Sequence, residues 1–403
     1  MNRLNTRRLL STYFLYECGR AMYFVLITWF LYQWTQDAIY TGIFVSFGFL
    51  PGLFSNLIFG VIVDRSNRKK LASLAGGGSI GCLLLLWGAF LLGLINPWVM
   101  ILTHMVLQTL GSLFRPSLQA LVAEVFKKNA LPRIFSLSGS ATISGSLIGA
   151  ALGGILAGLL PISISLLIVT GLYIGAFFTV LFLSYEPSPM RKAAKASPFF
   201  KELKEGFVYL KSRHVLHGLF VMMMLGQLTF HTILGFLSVY TSAYLNQTST
   251  VYGFLDAAFS IGGITAGIVG TWWWLKWKNH LALCSLGMMM GGLLLLGITK
   301  NILIVVLGVV LVGLGTSFVR ALLQSVQQMA TDSDFHGRMA SFRMLCNQAS
   351  VVITGPIFGY IAAAHGVHYV FLILSGISFA GMVWAFFQAR DPQFVAITKQ
   401  KPA

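Results

Sequence analysis

Apolar side chains run along this chain in blocks of roughly 20 to 25 residues, parted by short polar stretches and showing no strand-type alternation. A helix of about 20 apolar residues crosses a hydrocarbon core roughly 30 Å thick. In lipid every backbone N–H and C=O must be satisfied within the segment, so such runs read as helices. The pattern predicts twelve of them, over residues 9–33, 39–63, 71–94, 98–123, 135–160, 162–184, 214–242, 249–274, 280–299, 301–325, 338–365 and 367–388. The first run is too long for a signal-peptide core and lacks a small-residue cleavage site, so it is expected to remain as a helix.

Composition agrees: the 403 residues are 56% hydrophobic and only 10% charged. A mean hydropathy of +0.79 excludes an ordinary soluble domain. A net charge of +17 would point a soluble protein toward nucleic acid. Its distribution says otherwise. With the amino terminus in the cytoplasm, 23 of the 28 Lys and Arg fall in inside segments and only Lys300 falls outside, while Arg20, Arg115, Arg320 and Arg343 lie within or at the ends of spans. The charge is therefore a topology signal placing both termini in the cytoplasm. Cys18, Cys82, Cys284 and Cys346 sit singly on four spans and show neither a disulfide framework nor a metal-binding spacing.

The longest polar segment, EPSPMRKAAKASPFFKELKEGFVYLKSRH, separates spans six and seven. Phe199, Phe200, Leu203, Phe207 and Leu210 recur at helical spacing there, predicting an interfacial amphipathic helix with its lysines toward lipid headgroups. The chain thus divides into an amino-terminal bundle (1–184), a cytoplasmic linker with this helix (185–213), a carboxy-terminal bundle (214–390) and a tail (391–403). An internal repeat supports the division. LFRPSLQALVAE at 113–124 aligns with FVRALLQSVQQM at 318–329, matching Arg115 to Arg320 and Gln119 to Gln324 at an offset of 205. Duplicated halves of this kind are the signature of a secondary transporter.

In the loop between spans two and three, Gly60, Asp64, Arg65, Arg68 and Lys69 fit G-x-x-x-D-R-x-x-R-K. This motif, with the twelve-helix, two-half layout, resembles the major facilitator superfamily. WFLYQWT at 29–35, Pro51, KKNALPR at 127–133 and HGRMAS at 336–341 look most like its bacterial branch of enterobactin-type siderophore exporters and macrolide efflux proteins. The resemblance implies an all-α membrane protein with twelve transmembrane helices in two pseudo-symmetric six-helix bundles, in a bacterial inner membrane. It also implies that Asp64 and Arg68 form a latch at the cytoplasmic interface of the halves, Asp64 toward the amino end of helix eleven and Arg68 paired with Glu124, with Gly60 and Arg65 completing the motif. Asn67 stands where the family usually has Gly, and a left-handed turn at Asn would keep the loop tight. In the second half the corresponding stretch is GTWWWLKWKN, with Gly270 on Gly60 and Trp274 on Asp64, so the acid is missing and the tryptophans read as an interfacial aromatic belt beside Lys276 and Lys278.

Ionisable groups within spans are functional candidates. Glu17 and Arg20, three apart, are either a self-neutralising pair that lets the helix insert or a proton-exchanging carboxylate with its cation. Asp256 in VYGFLDAAFS is a second proton-site candidate; the alternative is a water-exposed position near the span entrance. Arg115, Arg320 and Arg343 either snorkel to the cytoplasmic surface or line a cavity that favours an acidic cargo. Gln227, His231, Asn347 and Gln348 add polar candidates, to substrate or merely across helices. His214 and His217 share a face without an acidic or cysteine partner, so no metal site is expected. Gly145, Gly149 and Gly153, with Gly154, give span five a face for close helix packing. They resemble the exporter-associated G-x-x-x-G-P-x-x-G-G signature with Ala150 in place of proline, while Gly355, Pro356 and Gly359 carry Gly-Pro in the repeat-equivalent place.

No nucleophile elbow, phosphate-cradling loop, HExxH pair or loop cluster of acids supports an enzyme. A membrane sensor or scaffold does not explain duplicated halves. The sequence therefore favours proton-coupled efflux of a small organic molecule by alternating access, a siderophore or metallophore first and a macrolide-like drug second. Its expected partners are that substrate, protons and the lipid bilayer, with no nucleic acid and no cofactor, and the chain is expected to be a monomer.

Overall fold

The computed structural model describes residues 3–184, 199–332 and 335–398, apart from the side chains of 56, 57, 60, 61, 64, 65, 128, 199–204 and 337. The linker residues 185–198 lie outside the description. The helices are α1 (Arg3–Thr35), α2 (Ala38–Phe49), α3 (Gly52–Arg65), α4 (Arg68–Leu91), α5 (Pro97–Val125), α6 (Leu131–Leu159) and α7 (Ile162–Leu181). There follow α8 (Phe199–Ser212), α9 (His214–Val239), α10 (Ser249–Trp277), α11 (Leu281–Ile298), α12 (Ile302–Ala330), α13 (His336–His365), α14 (Val367–Gln388) and α15 (Pro392–Thr398). Among the described residues these make twelve spans, because α2 and α3 together form the second and α8 and α15 are not spans.

The second span is not the continuous helix that its hydropathy predicts. Pro51 has no N–H to continue the ladder, so α2 stops at Phe49 and α3 restarts on the Pro51 carbonyl, which accepts from Ser55 N at 2.8 Å. The seventh span ends in one wide turn over Tyr240–Tyr244, where Leu245 N reaches back five residues to Tyr240 O at 3.0 Å. Spans eight and nine are joined by a single tight turn whose Lys278 takes φ 42°, in the left-handed region.

Short polar side chains start several spans. Asp37 Oδ1 accepts from Ile39 N at 2.8 Å, Asn96 Oδ1 from Val99 N at 3.0 Å and Asn301 Oδ1 from Leu303 N at 3.0 Å. Asn67 belongs with these. Its φ of −66° and ψ of 109° are extended, and its Oδ1 accepts from Lys70 N at 3.0 Å. The expected left-handed turn is therefore replaced by an N-cap, which explains Asn at this position without strain.

The chain forms two compact units, residues 1–194 with 246–257, and residues 195–245 with 258–403. Within the first, α1 packs on α6 and α7, α4 on α5 and α7, and α2 and α3 on α5. Within the second, α9 packs on α13 and α14, α11 on α12 and α14, and α8 on α13 and α9. The packing of the first span on the fifth and sixth, and of the third on the fourth and sixth, recurs for the seventh and ninth spans in the second unit.

The tightest seam is α1 against α6. A Cβ at Gly145 would lie 2.5 Å from Phe14 O, one at Gly149 2.2 Å from Cys18 O and one at Gly153 3.1 Å from Met22 Cα. Glycine every fourth residue on α6 thus meets every fourth residue on α1, and the backbones touch. Gly154 faces the start of α10, where a Cβ would lie 2.5 Å from Ser249 O. Gly355 and Gly359 are buried on α13, and Pro356 is exposed within it.

The tryptophans near the end of α10 divide by face. Trp272 is exposed with Lys276 Nζ 4.8 Å from its ring centroid, as a belt residue would be. Trp273 and Trp274 are instead buried, Trp273 stacked on Phe318 at 4.8 Å, because consecutive helical residues point in different directions. On α8, Lys211 and Phe207 are exposed while Tyr209 and Leu210 are buried.

Candidate functional site

The α1–α6 seam fixes the middle of α1, where Glu17 is 5% exposed. Its two carboxylate oxygens are divided between two cations. Oε2 accepts from Arg20 Nε at 2.6 Å, one helical turn away, and Oε1 lies 2.9 Å from Arg115 Nη2 on α5. Arg115 thus reaches a buried carboxylate while its own side chain stays 45% exposed. It also lies over the Tyr16 ring, 5.8 Å from the centroid, and Tyr16 stacks on Phe114 at 4.3 Å and meets Tyr173 edge-on at 5.4 Å. Two cations on one carboxylate leave a net positive charge in this cluster.

His104 on α5 and Asp256 on α10 are further buried ionisable groups in the same unit. Asp256 is 7% exposed, which removes the water-exposed reading, and among the described residues no hydrogen bond or ion pair to its carboxylate is found. One turn earlier, Tyr252 lies 2.7 Å from Thr28 Oγ1. Thr28 spends its only proton on Phe24 O at 2.7 Å, so Tyr252 is the donor. His104, not a candidate from sequence, stacks on Phe44 at 3.9 Å and faces Tyr23 at 6.0 Å. Its Nδ1 and the Tyr23 hydroxyl are buried without hydrogen-bond partners among the described residues. The rule that flagged Glu17, an ionisable group inside a span, applies equally to His104.

In the second unit the polar candidates are placed differently. Arg320 lies over the Phe230 ring, 4.2 Å from its centroid, and among the described residues meets no carboxylate within ion-pair distance. Arg343 donates to Gln327 Oε1 at 2.8 Å. Gln227 and His231, one turn apart on α9, bond each other through Nε2 atoms. Asn347 Oδ1 is buried without a partner among the described residues. No group of three metal-ligating side chains occurs among the described residues.

At the start of α4, Arg68 pairs with Glu124 near the end of α5, a contact within the first unit. Lys69 Nζ donates to Leu183 O at 2.8 Å, two residues beyond the end of α7. Gly60 and the side chains of Asp64 and Arg65 lie outside the described residues.

The Major Facilitator Superfamily profile matches residues 9–246 and 219–402. Among solved structures, the nucleoside transporter NupG aligns over 97% of this chain and 100% of its own, with a TM-score of 0.78 and 14% identity. A variant of a peptide transporter POT aligns over 98% and 95%, with a TM-score of 0.76 and 13% identity. A bacterial homolog of the human lysosomal transporter Spinster, inward-facing and unoccupied, aligns over 100% of both chains at 0.73 and 10%. No curated protein matches the sequence. At these identities the structures show the fold, and the profile shows the family. The chain is a multi-pass membrane transporter that belongs to the major facilitator superfamily.

Proposed function

We propose that this transporter is a proton-coupled exporter of a small acidic organic molecule, a siderophore or metallophore, working by alternating access in a bacterial cytoplasmic membrane with both termini inside. The observation that carries the reading is the charge imbalance within the spans. Glu17 is shared by Arg20 and Arg115, while Arg320 and Arg343 meet a phenyl ring and an amide. Uncompensated cations in a low-dielectric setting favour an anionic cargo.

Asp256 serves as the proton site in this reading, being a buried acid with no ion-pair partner among the described residues. Glu17, already held by two cations, is the second candidate. Asp64 and Arg68 act as the cytoplasmic latch.

The test is a deletion strain grown under iron limitation, with its culture supernatant profiled by mass spectrometry. Loss of a secreted acidic chelator is expected. Unchanged secretion together with increased antibiotic sensitivity would replace this reading with macrolide or multidrug efflux.

A further inference from the structure

The second unit holds a cavity of about 650 Å³ that none of the transport candidates lines. Its apolar wall is made by Phe220, Met224, Phe342 and Trp384. Polar groups gather at one end: His214 and His217 at the start of α9, and Gln388 and Asp391 at and just beyond the end of α14. From His214 to Met224 the wall follows ten helical residues, about 15 Å at 1.5 Å each, or half the depth of a roughly 30 Å hydrocarbon core. The cavity therefore has the length of one leaflet, with polar groups at headgroup level and apolar ones at acyl-chain level. Val221, Trp384 and Phe387 on its rim are more than half exposed, so it opens onto the apolar surface.

Two features of the polar end point to the ligand. Gln388 is 8% exposed and its Nε2 donates to Val215 O at 2.9 Å, but its Oε1 has no hydrogen-bond donor among the described residues. A buried carbonyl oxygen left in this state calls for a donor from outside the protein. Exposed Lys211, Arg213 and Arg390 are the sequence neighbours of the lining residues Leu210, His214 and Asp391, with Arg213 also contacting Asp332 at 3.2 Å. The one acid on the wall, Asp391, is engaged as the cap of α15, its Oδ1 accepting from Gln393 N at 2.8 Å and Phe394 N at 3.3 Å.

We propose that this cavity binds one phospholipid whose headgroup carries an anionic phosphate and a hydroxyl, of the phosphatidylglycerol type. His214 and His217, with rings 6.0 Å apart, donate to the phosphate. Gln388 Oε1 accepts from the headgroup hydroxyl, and an acyl chain lies against Phe220, Met224, Phe342 and Trp384. The site is independent of the transported cargo.

Native mass spectrometry of the full chain in detergent tests it, with phosphatidylglycerol or phosphatidylcholine of identical chains as probes. The wild type is expected to retain one phosphatidylglycerol at activation energies that strip phosphatidylcholine. Met224→Trp fills the apolar end, and the double change His214→Glu, His217→Glu sets negative charge against the phosphate; each is expected to weaken phosphatidylglycerol retention by about fivefold or more. If Met224→Trp does not fold, the glutamate pair decides alone, since His214 is exposed and His217 half-buried. Equal retention of the two lipids by the wild type, or wild-type retention by the folded glutamate variant, overturns the proposal.

Discussion

Arg115 Nη2 on α5 lies 2.9 Å from Glu17 Oε1 on α1, across a separation of 98 residues in the chain, and this contact turns a local Glu17–Arg20 pair into a three-membered cluster. Removing the shared anion leaves two cations facing one another. Glu17→Gln is therefore expected to be the most damaging single change in the cluster, costing roughly 3 kcal/mol for a broken buried pair. Arg115→Gln is expected to cost less than about 1 kcal/mol, because the Arg115 side chain is 45% exposed and solvent screens it. Thermal unfolding in detergent measures the order; equal losses would show that Glu17 depends on water rather than on its cations.

Gly149 on α6 tests the seam that holds α1 in register. Its absent Cβ would lie 2.2 Å from Cys18 O, a backbone atom that cannot swing away. Gly149→Ala is expected to destabilise by about 1–3 kcal/mol through overpacking. Gly171→Ala, with nothing within 4 Å of its Cβ position, is expected to be neutral or stabilising by up to about 1 kcal/mol from helix propensity. Unfolding midpoints of the two variants check the contrast.

Asp256 is expected to couple transport to protons. In proteoliposomes Asp256→Asn should abolish the stimulation of net flux by a pH gradient while leaving substrate exchange intact, since exchange requires no net proton movement. Loss of both activities in the folded variant would make Asp256 structural, and retained stimulation would remove it from coupling.

Arg68 and Glu124 join α4 to α5 within one unit. Breaking the pair with Arg68→Glu should cost about 1 kcal/mol or more, between the values for exposed and buried pairs, and the reversed pair Arg68→Glu with Glu124→Arg should recover most of it. Asp64→Asn, by contrast, is expected to lower flux without lowering expression. Unimpaired flux in that variant would dispose of the latch.

The sequence alone determined which segments form the spans, though not the break at Pro51 or the short α15, because a lipid solvent leaves a backbone few choices and marks each span with a long apolar run. The Glu17–Arg20 neighbourhood followed from helical spacing, and the resemblance to a known motif supplied Arg68 with Glu124. Tertiary structure decided the rest. Asp256 proved buried without an ion-pair partner among the described residues, while Arg115 proved to be a ligand of Glu17. His104 gained its aromatic box from α1 and α2, and Trp273 and Trp274 turned inward from a run that reads as a belt. Hydropathy records whether a segment belongs in lipid but not which of its faces meets another helix. Where helices are apolar on every side, that facing is set by glycine seams such as Gly149 on Cys18, whose consequences appear only when the backbones are brought together.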